Sequence, residues 1–242
     1  MKILKSLKGY SNGKVLLIED GSIFVRKYGD IARNLERYKD LQDKISVPKI
    51  LNQTDEYYDM EYVSNLDIKK YISNYNLSFL VKFITETIDK LSKDSVMKDY
   101  TEVFRKKLNS FNFEEYDLPF TAEDLLDRLP KMIPQSAYHG DFTMDNILYS
   151  VTDHRFVMID PLTTEYDSYI FDIAKLRQDI TCKWFIRNDN VYYDYKLKVL
   201  SNKLKEYYDD NLLILMLLRV LPYTKTEKDT QFLIDEIKKL WK

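Results

Sequence analysis

The chain has 242 residues and a formal net charge of -2 at pH 7, with 37 Lys and Arg residues against 39 Asp and Glu residues. This balance is evidence against a nucleic-acid-binding protein, which normally carries a basic excess. Hydrophobic residues make up 45% of the chain and charged residues 31%, which excludes a disordered chain and allows one or two globular domains.

The N-terminus and the cysteine content predict a cytoplasmic protein. The first ten residues contain lysines but no apolar segment of a secretory signal. The most apolar run, residues 212–218, is much shorter than the ~20 residues of a membrane-spanning helix. The single cysteine, Cys182, fits a reducing compartment and a place in the core of a helix. We therefore expect no membrane span.

Residues 14–28 predict a β-hairpin. Two β-rich segments flank Asp20-Gly21, a dipeptide typical of hairpin turns. On the second strand Val25 and Lys27 share one face, because side chains alternate along a strand. Residues 49–51 and 57–63 predict two further strands, the second of which ends in Glu61-Tyr62-Val63.

A helix is predicted between these strands, at residues 30–45, with Asp30 as its N-cap. Apolar residues recur there at helical spacing, and the buried face includes Asn34 and Tyr38. Glu36 lies well off that face. The helix therefore presents no obvious acidic residue to the strands.

From residue 64 onward the apolar period lengthens to about 3.6 residues, which predicts a mainly helical remainder. Thr121 begins a capping box with Asp124. The predicted helices cover residues 77–91, 96–111, 121–130, 173–185, 193–208, 211–221 and 226–241.

The candidate chemistry lies in residues 139–148, HGDFTMDNIL, and in Asp160. Phosphoryl transfer from ATP requires a carboxylate that orients the attacking hydroxyl, and oxygen ligands for magnesium. Asp141 can supply the first, while Asn146 and Asp160 can supply the second. Each alone could be an ordinary turn residue. However, the spacing from Asp141 to Asn146 is that of a kinase catalytic loop, and a hairpin between Asn146 and Asp160 would bring both to one end.

With Gly140 after His139, this stretch resembles the catalytic loop of the aminoglycoside phosphotransferase and choline kinase family. Asp160-Pro161 is similar to the metal-binding aspartate of these small-molecule kinases. Residues 172–176, DIAKL, resemble the family's downstream D-x-A-x-L helix start, although Asp172 could equally be a first-turn acid. The short gap after Asp160 and the missing A-P-E motif disfavour a protein kinase.

The resemblance implies an α+β, two-lobe protein kinase-like fold. Residues 1–63 would form an antiparallel β N-lobe with one helix, and residues 64–242 a mainly helical C-lobe. It also implies ATP and Mg²⁺ as cofactors and the hydroxyl of a small molecule, such as a sugar or choline, as acceptor. A role in bacterial surface polysaccharide metabolism is the pathway that the resemblance suggests. The alternative is a catalytically inactive, kinase-like nucleotide-binding or scaffold protein.

The resemblance further assigns a role to each nucleotide-binding residue. Lys27 would hold the α- and β-phosphates, and Val25 would pack against the adenine. The backbone groups of Glu61 and Val63 would bind the adenine edge, while His139 supports the catalytic loop. In kinases a helix glutamate pairs with the strand lysine; whether Glu36 or Asn34 takes its place stays open.

Two parts of the resemblance are weaker. In the expected phosphate-covering loop, residues 9–15, only Gly13-x-Val15 fits the kinase pattern. For the acceptor, acids and aromatic residues that could hold a cation or a sugar follow Asp160, although packing explains most of these tyrosines equally well. These candidates are Glu165, Tyr166, Asp167, Tyr169, Trp184, Tyr192, Tyr193 and Tyr195.

Overall fold

A computed structural model of the chain describes residues 1–7, 14–29, 31–189 and 193–242. Asp30, Tyr192 and residues 9–13 of the phosphate-covering loop therefore lie outside the described residues. The chain forms two compact units, which we describe separately. The first unit contains Met1–Leu91 and His139–Thr164, and the second contains Ser92–Tyr138 and Glu165–Lys242. The lobe boundary after residue 63 stays a prediction.

The first unit contains an antiparallel five-stranded sheet in the order β1-β2-β3-β5-β4. The strands are β1 Lys2–Leu7, β2 Val15–Asp20, β3 Ser22–Tyr28, β4 Ile50–Gln53 and β5 Tyr57–Glu61. β2 and β3 form the predicted hairpin, with Gly21 at a φ of +72° in its turn. β1 was not predicted, because its side chains are almost all exposed and show no apolar alternation.

One helix, α1 (Ile31–Leu41), follows β3. Leu35, Tyr38 and Leu41 on its predicted inner face are buried. The helix ends earlier than the predicted residue 45, and the chain continues as a turn in which the Ile45 N–H donates to the Leu41 carbonyl oxygen at 3.0 Å. Ile45 is buried nonetheless, because the turn keeps it on the same side as α1.

The rest of the first unit is a three-stranded antiparallel sheet with two helices. The sheet has the order β10-β9-β6. Its elements are β6 Asn65–Leu66, α2 Ile68–Asn74, α3 Ser78–Leu91, β9 Ile147–Ser150 and β10 Arg155–Met158. Rings of Tyr71, Tyr149 and Phe156 pack with centroids 4.7 to 5.0 Å apart and join α2 to the β9–β10 hairpin.

The second unit is mainly helical and, among the described residues, has a two-stranded antiparallel sheet of β7 (Val96–Asp99) and β8 (Met132–Gln135). Residues 212–218 are buried on every side of one helix, so that helix forms the centre of the core. The helices are α4 Thr101–Asn109, α5 Ala122–Arg128, α6 Tyr169–Ile180, α7 Asp194–Lys203, α8 Asp210–Val220 and α9 Glu227–Leu240. None of the helices that the structure describes is long and apolar enough to span a membrane.

Two predicted helices have different starts. The helix predicted over 96–111 is wrong in its first residues, because Val96–Asp99 pairs as a strand with Met132–Gln135 and α4 begins only at Thr101. α6 begins at Tyr169 rather than at residue 173, since the Ser168 side chain accepts a hydrogen bond from the Ile170 N–H and caps the helix. α6 also ends before Cys182, which is buried in the following turn.

Candidate active site

The β9–β10 hairpin places Asn146 and Asp160 at the same end. Met158 lies opposite Ile147 in the register of the two strands. One residue further, the Ile159 N–H donates to the Asn146 carbonyl oxygen at 2.9 Å. Asp160 follows directly. The two residues predicted to bind magnesium are therefore brought together by a short, locally determined element.

Asn146 is also bonded to Asp141. Its amide nitrogen Nδ2 donates to the Asp141 carbonyl oxygen at 2.8 Å and to the Asp141 carboxylate Oδ2 at 2.9 Å. Because Nδ2 donates both hydrogen bonds, Oδ1 is the side-chain atom of Asn146 that could coordinate a cation. The second of these bonds orients the Asp141 carboxylate, and the first holds the backbone of the same residue.

Lys27 is the third predicted residue that the structure brings to this place. It lies on β3 together with Val25, and only 7% of Lys27 is exposed. Its Nζ lies 2.7 Å from Oδ1 of Asp160, whose side chain is partly exposed. A buried lysine requires such a partner, because an isolated charge away from water is costly. The ammonium group is thus held beside the predicted metal ligand.

The helix glutamate of kinases has no counterpart on α1 within the described residues. Glu36 is exposed and Asn34 is partly buried. Instead, the hydroxyl of Tyr38 accepts a hydrogen bond from the Asp160 backbone N–H at 2.9 Å. Burial raises the pKa of Tyr38 well above its usual value, so its hydroxyl stays protonated at neutral pH. Sequence reasoning placed Tyr38 on the buried face but missed this contact.

His139 supports the catalytic loop through a hydrogen bond with the loop backbone. It is fully buried, and its Nδ1 accepts a hydrogen bond from the Asp141 N–H at 3.3 Å. Burial lowers the pKa of His139 to about 4, although the Asp141 and Asp160 carboxylates act in the opposite direction. The imidazole is therefore neutral at pH 7, as its role as acceptor requires.

Gly140 cannot be replaced without strain. Its φ is +85°, a conformation that side chains with a Cβ rarely adopt. A Cβ at this position would also collide with the Leu162 carbonyl oxygen. The two segments are held together because the Leu162 N–H donates to the His139 carbonyl oxygen at 2.9 Å. The glycine of the HGD stretch thus permits the loop to approach the chain after Asp160.

The predicted adenine-binding residues lie on or near the large sheet. Val25 on β3 and Val63 after β5 are both buried. The Glu61 side chain accepts a hydrogen bond from Arg155 Nη2 at 2.7 Å, which ties the end of β5 to β10. Whether the Glu61 and Val63 backbone groups bind adenine stays a prediction.

The acceptor candidates belong to the second unit, where several have partners from the chain itself. The Glu165 carboxylate lies 2.7 Å from Lys106 Nζ. Lys98 Nζ and the Tyr100 hydroxyl each donate to Asp167 at 2.8 Å. Guanidinium groups cover two of the aromatic faces: Arg219 lies 4.3 Å from the Tyr166 ring centroid and Arg187 lies 3.6 Å from that of Trp184. These aromatic faces are therefore less suited to bind a ligand cation.

The oxygen atoms of this site fit a magnesium ion. Mg²⁺ binds hard oxygen ligands and commonly takes one or two carboxylates, with nucleotide phosphates completing its coordination. The Asp160 carboxylate and Asn146 Oδ1 match that pattern. Within the described ranges no cluster of three His, Cys, Asp or Glu side chains could hold a metal by itself.

No protein-family model and no curated protein matches the sequence. Solved structures do match it over nearly its whole length. The ethanolamine kinase of Plasmodium vivax matches with a TM-score of 0.58 at 13% identity, over 98% of this chain and 81% of that one. A choline/ethanolamine kinase family protein of Mesorhizobium loti gives 0.59 at 14%, over 98% and 87%. The choline kinase LicA of Streptococcus pneumoniae gives 0.55 at 13%, over 99% and 95%.

Identities this low show the fold and nothing finer. The likeness extends over both units, since it covers 98% or more of this chain in all three comparisons. The α+β class predicted from the sequence, with an antiparallel N-terminal sheet, one helix and a mainly helical remainder, is confirmed. The chain therefore has the kinase-like fold that these choline and ethanolamine kinases share.

Proposed function

We propose that the chain is an ATP- and Mg²⁺-dependent phosphotransferase that moves the γ-phosphate to a hydroxyl of a small molecule. The observation that carries the proposal is that two hydrogen-bonded pairs of side chains lie in one compact unit. These pairs are Asn146 with Asp141 and Lys27 with Asp160. Phosphoryl transfer is catalysed mainly by positioning and by electrostatic stabilisation, and these four side chains supply both.

Asp141 has the role of orienting the acceptor hydroxyl and finally accepting its proton. The bond from Asn146 Nδ2 to Oδ2 orients the carboxylate without neutralising it. A carboxylate held in this way is suited to general-base catalysis. His139 accepts the Asp141 backbone N–H and remains neutral, so it supports the loop and is not the base.

Asn146 Oδ1 and the Asp160 carboxylate would hold the magnesium ion, and Lys27 would contact the α- and β-phosphates. When bound, magnesium would neutralise the negative charge of the phosphate groups. Val25 and the backbone of Glu61 and Val63 would receive the adenine. A solved structure of the choline kinase LicA contains AMP, which supports a nucleotide as the ligand of this fold.

For the acceptor, we propose an amino alcohol such as choline or ethanolamine first and a sugar second. The structures that this chain matches are named as choline and ethanolamine kinases, which supports that order. A cytoplasmic location and a role in bacterial surface polysaccharide metabolism are parts of the same proposal. They depend on the acceptor, so a kinase assay against these compounds comes before any test of the pathway.

The second candidate function is a catalytically inactive, kinase-like binding protein. The observation that favours it is the absence, within the described residues, of a helix glutamate beside Lys27. An inactive scaffold, however, has no need of Asp141, Asn146 and Asp160 together. The two candidates therefore differ in whether the γ-phosphate is transferred to a hydroxyl, and Mg-nucleotide binding is the first requirement of the active one.

Thermal unfolding with ATP, with and without Mg²⁺, tests the proposal. Ligand at about 100 times its Kd stabilises the native state by about 2.7 kcal/mol, so the wild-type Tm should rise by roughly 5 to 10 °C only when both are present. Asp160→Ala should lose this rise. Asp145→Ala, which removes an exposed carboxylate next to Asn146, is the matched control and should keep it. No rise in wild type contradicts the proposal and favours the inactive scaffold.

A further inference from the structure

Tyr38 connects α1 to the metal-binding residue. Its side chain is 0% exposed, and its hydroxyl accepts the Asp160 backbone N–H at 2.9 Å. The two residues are 122 positions apart in the sequence, so the contact is a tertiary one. A buried hydroxyl bonded to a backbone N–H has a more specific role than filling the core, because a phenylalanine would fill the same space.

The backbone of Asp160 has an unusual conformation. Its φ is +55°, in the left-handed region that residues other than glycine rarely adopt. Such a conformation persists where the surrounding structure holds it, and it is often found at functional sites. Three consecutive N–H groups are held here: Met158 donates to Ser46, Ile159 to Asn146 and Asp160 to Tyr38.

The left-handed turn decides where the carboxylate of Asp160 points. In this conformation Oδ1 lies 2.7 Å from Lys27 Nζ, and the side chain remains partly exposed. A change in φ at residue 160 would move the carboxylate away from both Lys27 and the end of the β9–β10 hairpin. The Tyr38 hydroxyl is the partner of the one N–H that belongs to Asp160 itself.

We propose that Tyr38 is a positioning residue that holds Asp160 in its left-handed conformation and so fixes the metal-binding carboxylate. α1 would then act on the aspartate through a hydrogen bond, in place of acting on Lys27 through a glutamate. This inference rests on the proposed function, because it assigns Asp160 to magnesium. It also explains how the site remains ordered when Glu36 is exposed.

The chain offers a matched control in Tyr58. This residue lies on β5, is 1% exposed, and its ring centroid is 6.0 Å from that of Tyr38. Its hydroxyl is buried and has no hydrogen-bond partner among the described residues. Tyr38→Phe and Tyr58→Phe therefore each remove one buried hydroxyl from the same part of the core, but only the first removes a bond to Asp160.

The experiment is a fluorescence titration of N-methylanthraniloyl-ATP at increasing Mg²⁺ concentration. Since Tyr38→Phe leaves a backbone N–H unpaired, we expect it to need about tenfold more Mg²⁺ for half-maximal binding. A cooperative thermal unfolding transition, measured alongside, shows that the variant is folded. Tyr58→Phe should match wild type in its Mg²⁺ requirement. Equal Mg²⁺ requirements in Tyr38→Phe and wild type, or equal increases in both variants, would overturn the inference.

Amide hydrogen exchange in the wild-type protein gives a second test that needs no variant to fold. The Asp160 N–H should be protected from exchange as strongly as a β-sheet amide, because its acceptor is fully buried. Rapid exchange of the Asp160 N–H would show that its hydrogen bond to Tyr38 is not maintained, and would refute the inference. If wild type showed no Mg²⁺-dependent binding at all, the proposed function would fail as well. If it bound normally and only Tyr38→Phe had no effect, this inference alone would fail.

Discussion

At the scale of single residues, Asp141 and Asn146 differ from ordinary loop residues because they are bonded to each other. The Asn146 amide nitrogen donates to both the backbone carbonyl oxygen and the carboxylate of Asp141, so the two side chains orient each other. An aspartate that serves only the backbone of its own loop would leave its carboxylate with those N–H groups. The observed bonds therefore favour the role of Asp141 as the base.

Substitution of Asp141 gives the most direct prediction at this scale. Asp141→Ala should lower kcat by ~100- to 10,000-fold, the usual effect of losing a positioned acid or base. The affinity for Mg-nucleotide should change little, because Lys27, Asn146 and Asp160 remain. Steady-state kinetics with the accepted substrate measure kcat, and nucleotide titration measures the affinity for Mg-nucleotide. Unaltered turnover would remove Asp141 from the mechanism; the neighbouring Asp145→Ala serves as control.

Sequence reasoning could place Asp141, Asn146 and Asp160 because their arrangement depends on a local loop and a short hairpin. It could not place the Tyr38 contact, because a tyrosine on an apolar helix face normally belongs to the core and its partner is 122 residues away. The need for Gly140 was similarly hidden, since it arises from the Leu162 carbonyl oxygen after the hairpin.

At the scale of elements, the two-stranded β7–β8 sheet shows where a prediction from local sequence pattern fails. Residues 96–99 continue a helical apolar spacing, yet they pair with Met132–Gln135 as a strand. Asp167 stabilises this arrangement from a third segment. Its carboxylate accepts from Lys98 on β7, from Tyr100 at the start of α4 and from Gln135 on β8. Such bonds between distant segments are not encoded in any one window of sequence.

Asp167→Asn should therefore affect stability more than substrate recognition. Burial alone would raise the pKa of Asp167, but the bonds from Lys98, Tyr100 and Gln135 together lower it. Loss of the charge should reduce the free energy of unfolding by about 1 to 3 kcal/mol, as expected for charge-assisted hydrogen bonds. Urea denaturation measures this. A changed KM with unaltered stability would contradict it and return Asp167 to the acceptor candidates.

The matched control for this substitution is Glu165→Gln. Glu165 also pairs with a lysine, Lys106, at 2.7 Å, but both side chains are exposed. Exposed pairs of this kind contribute about 0 to 1 kcal/mol. The two carboxylates lie two residues apart in the sequence. The comparison therefore separates the loss of stability caused by losing the buried hydrogen bonds of Asp167 from that caused by losing one negative charge.

At the scale of the whole molecule, the sequence order and the compact units do not coincide. The first unit takes up His139–Thr164 after the chain has already built part of the second. All the residues proposed for phosphate and metal belong to the first unit, and all the acceptor candidates to the second. The resemblance to small-molecule kinases implied the α+β class, but only tertiary contacts could assign residues 139–164 to the first unit.

His139 links the stability of the molecule to pH. Its pKa is about 4 in the folded chain because it is buried, against 6.5 ordinarily. Between these values the unfolded state binds more protons than the folded state, so the free energy of unfolding falls as the pH is lowered through this window. The 2.5-unit difference corresponds to about 3 kcal/mol, reached near pH 4. Most carboxylates titrate at lower pH and contribute less in this range.

Urea denaturation at a series of pH values from 7 to 4 therefore gives the last prediction. His139→Gln can still accept a hydrogen bond but cannot titrate, so its stability should be lower at pH 7 and decline less on acidification, by about 3 kcal/mol. His154, the other histidine, is exposed, and His154→Gln should follow the wild-type profile. Parallel profiles for wild type and His139→Gln would show that the buried imidazole does not limit acid stability.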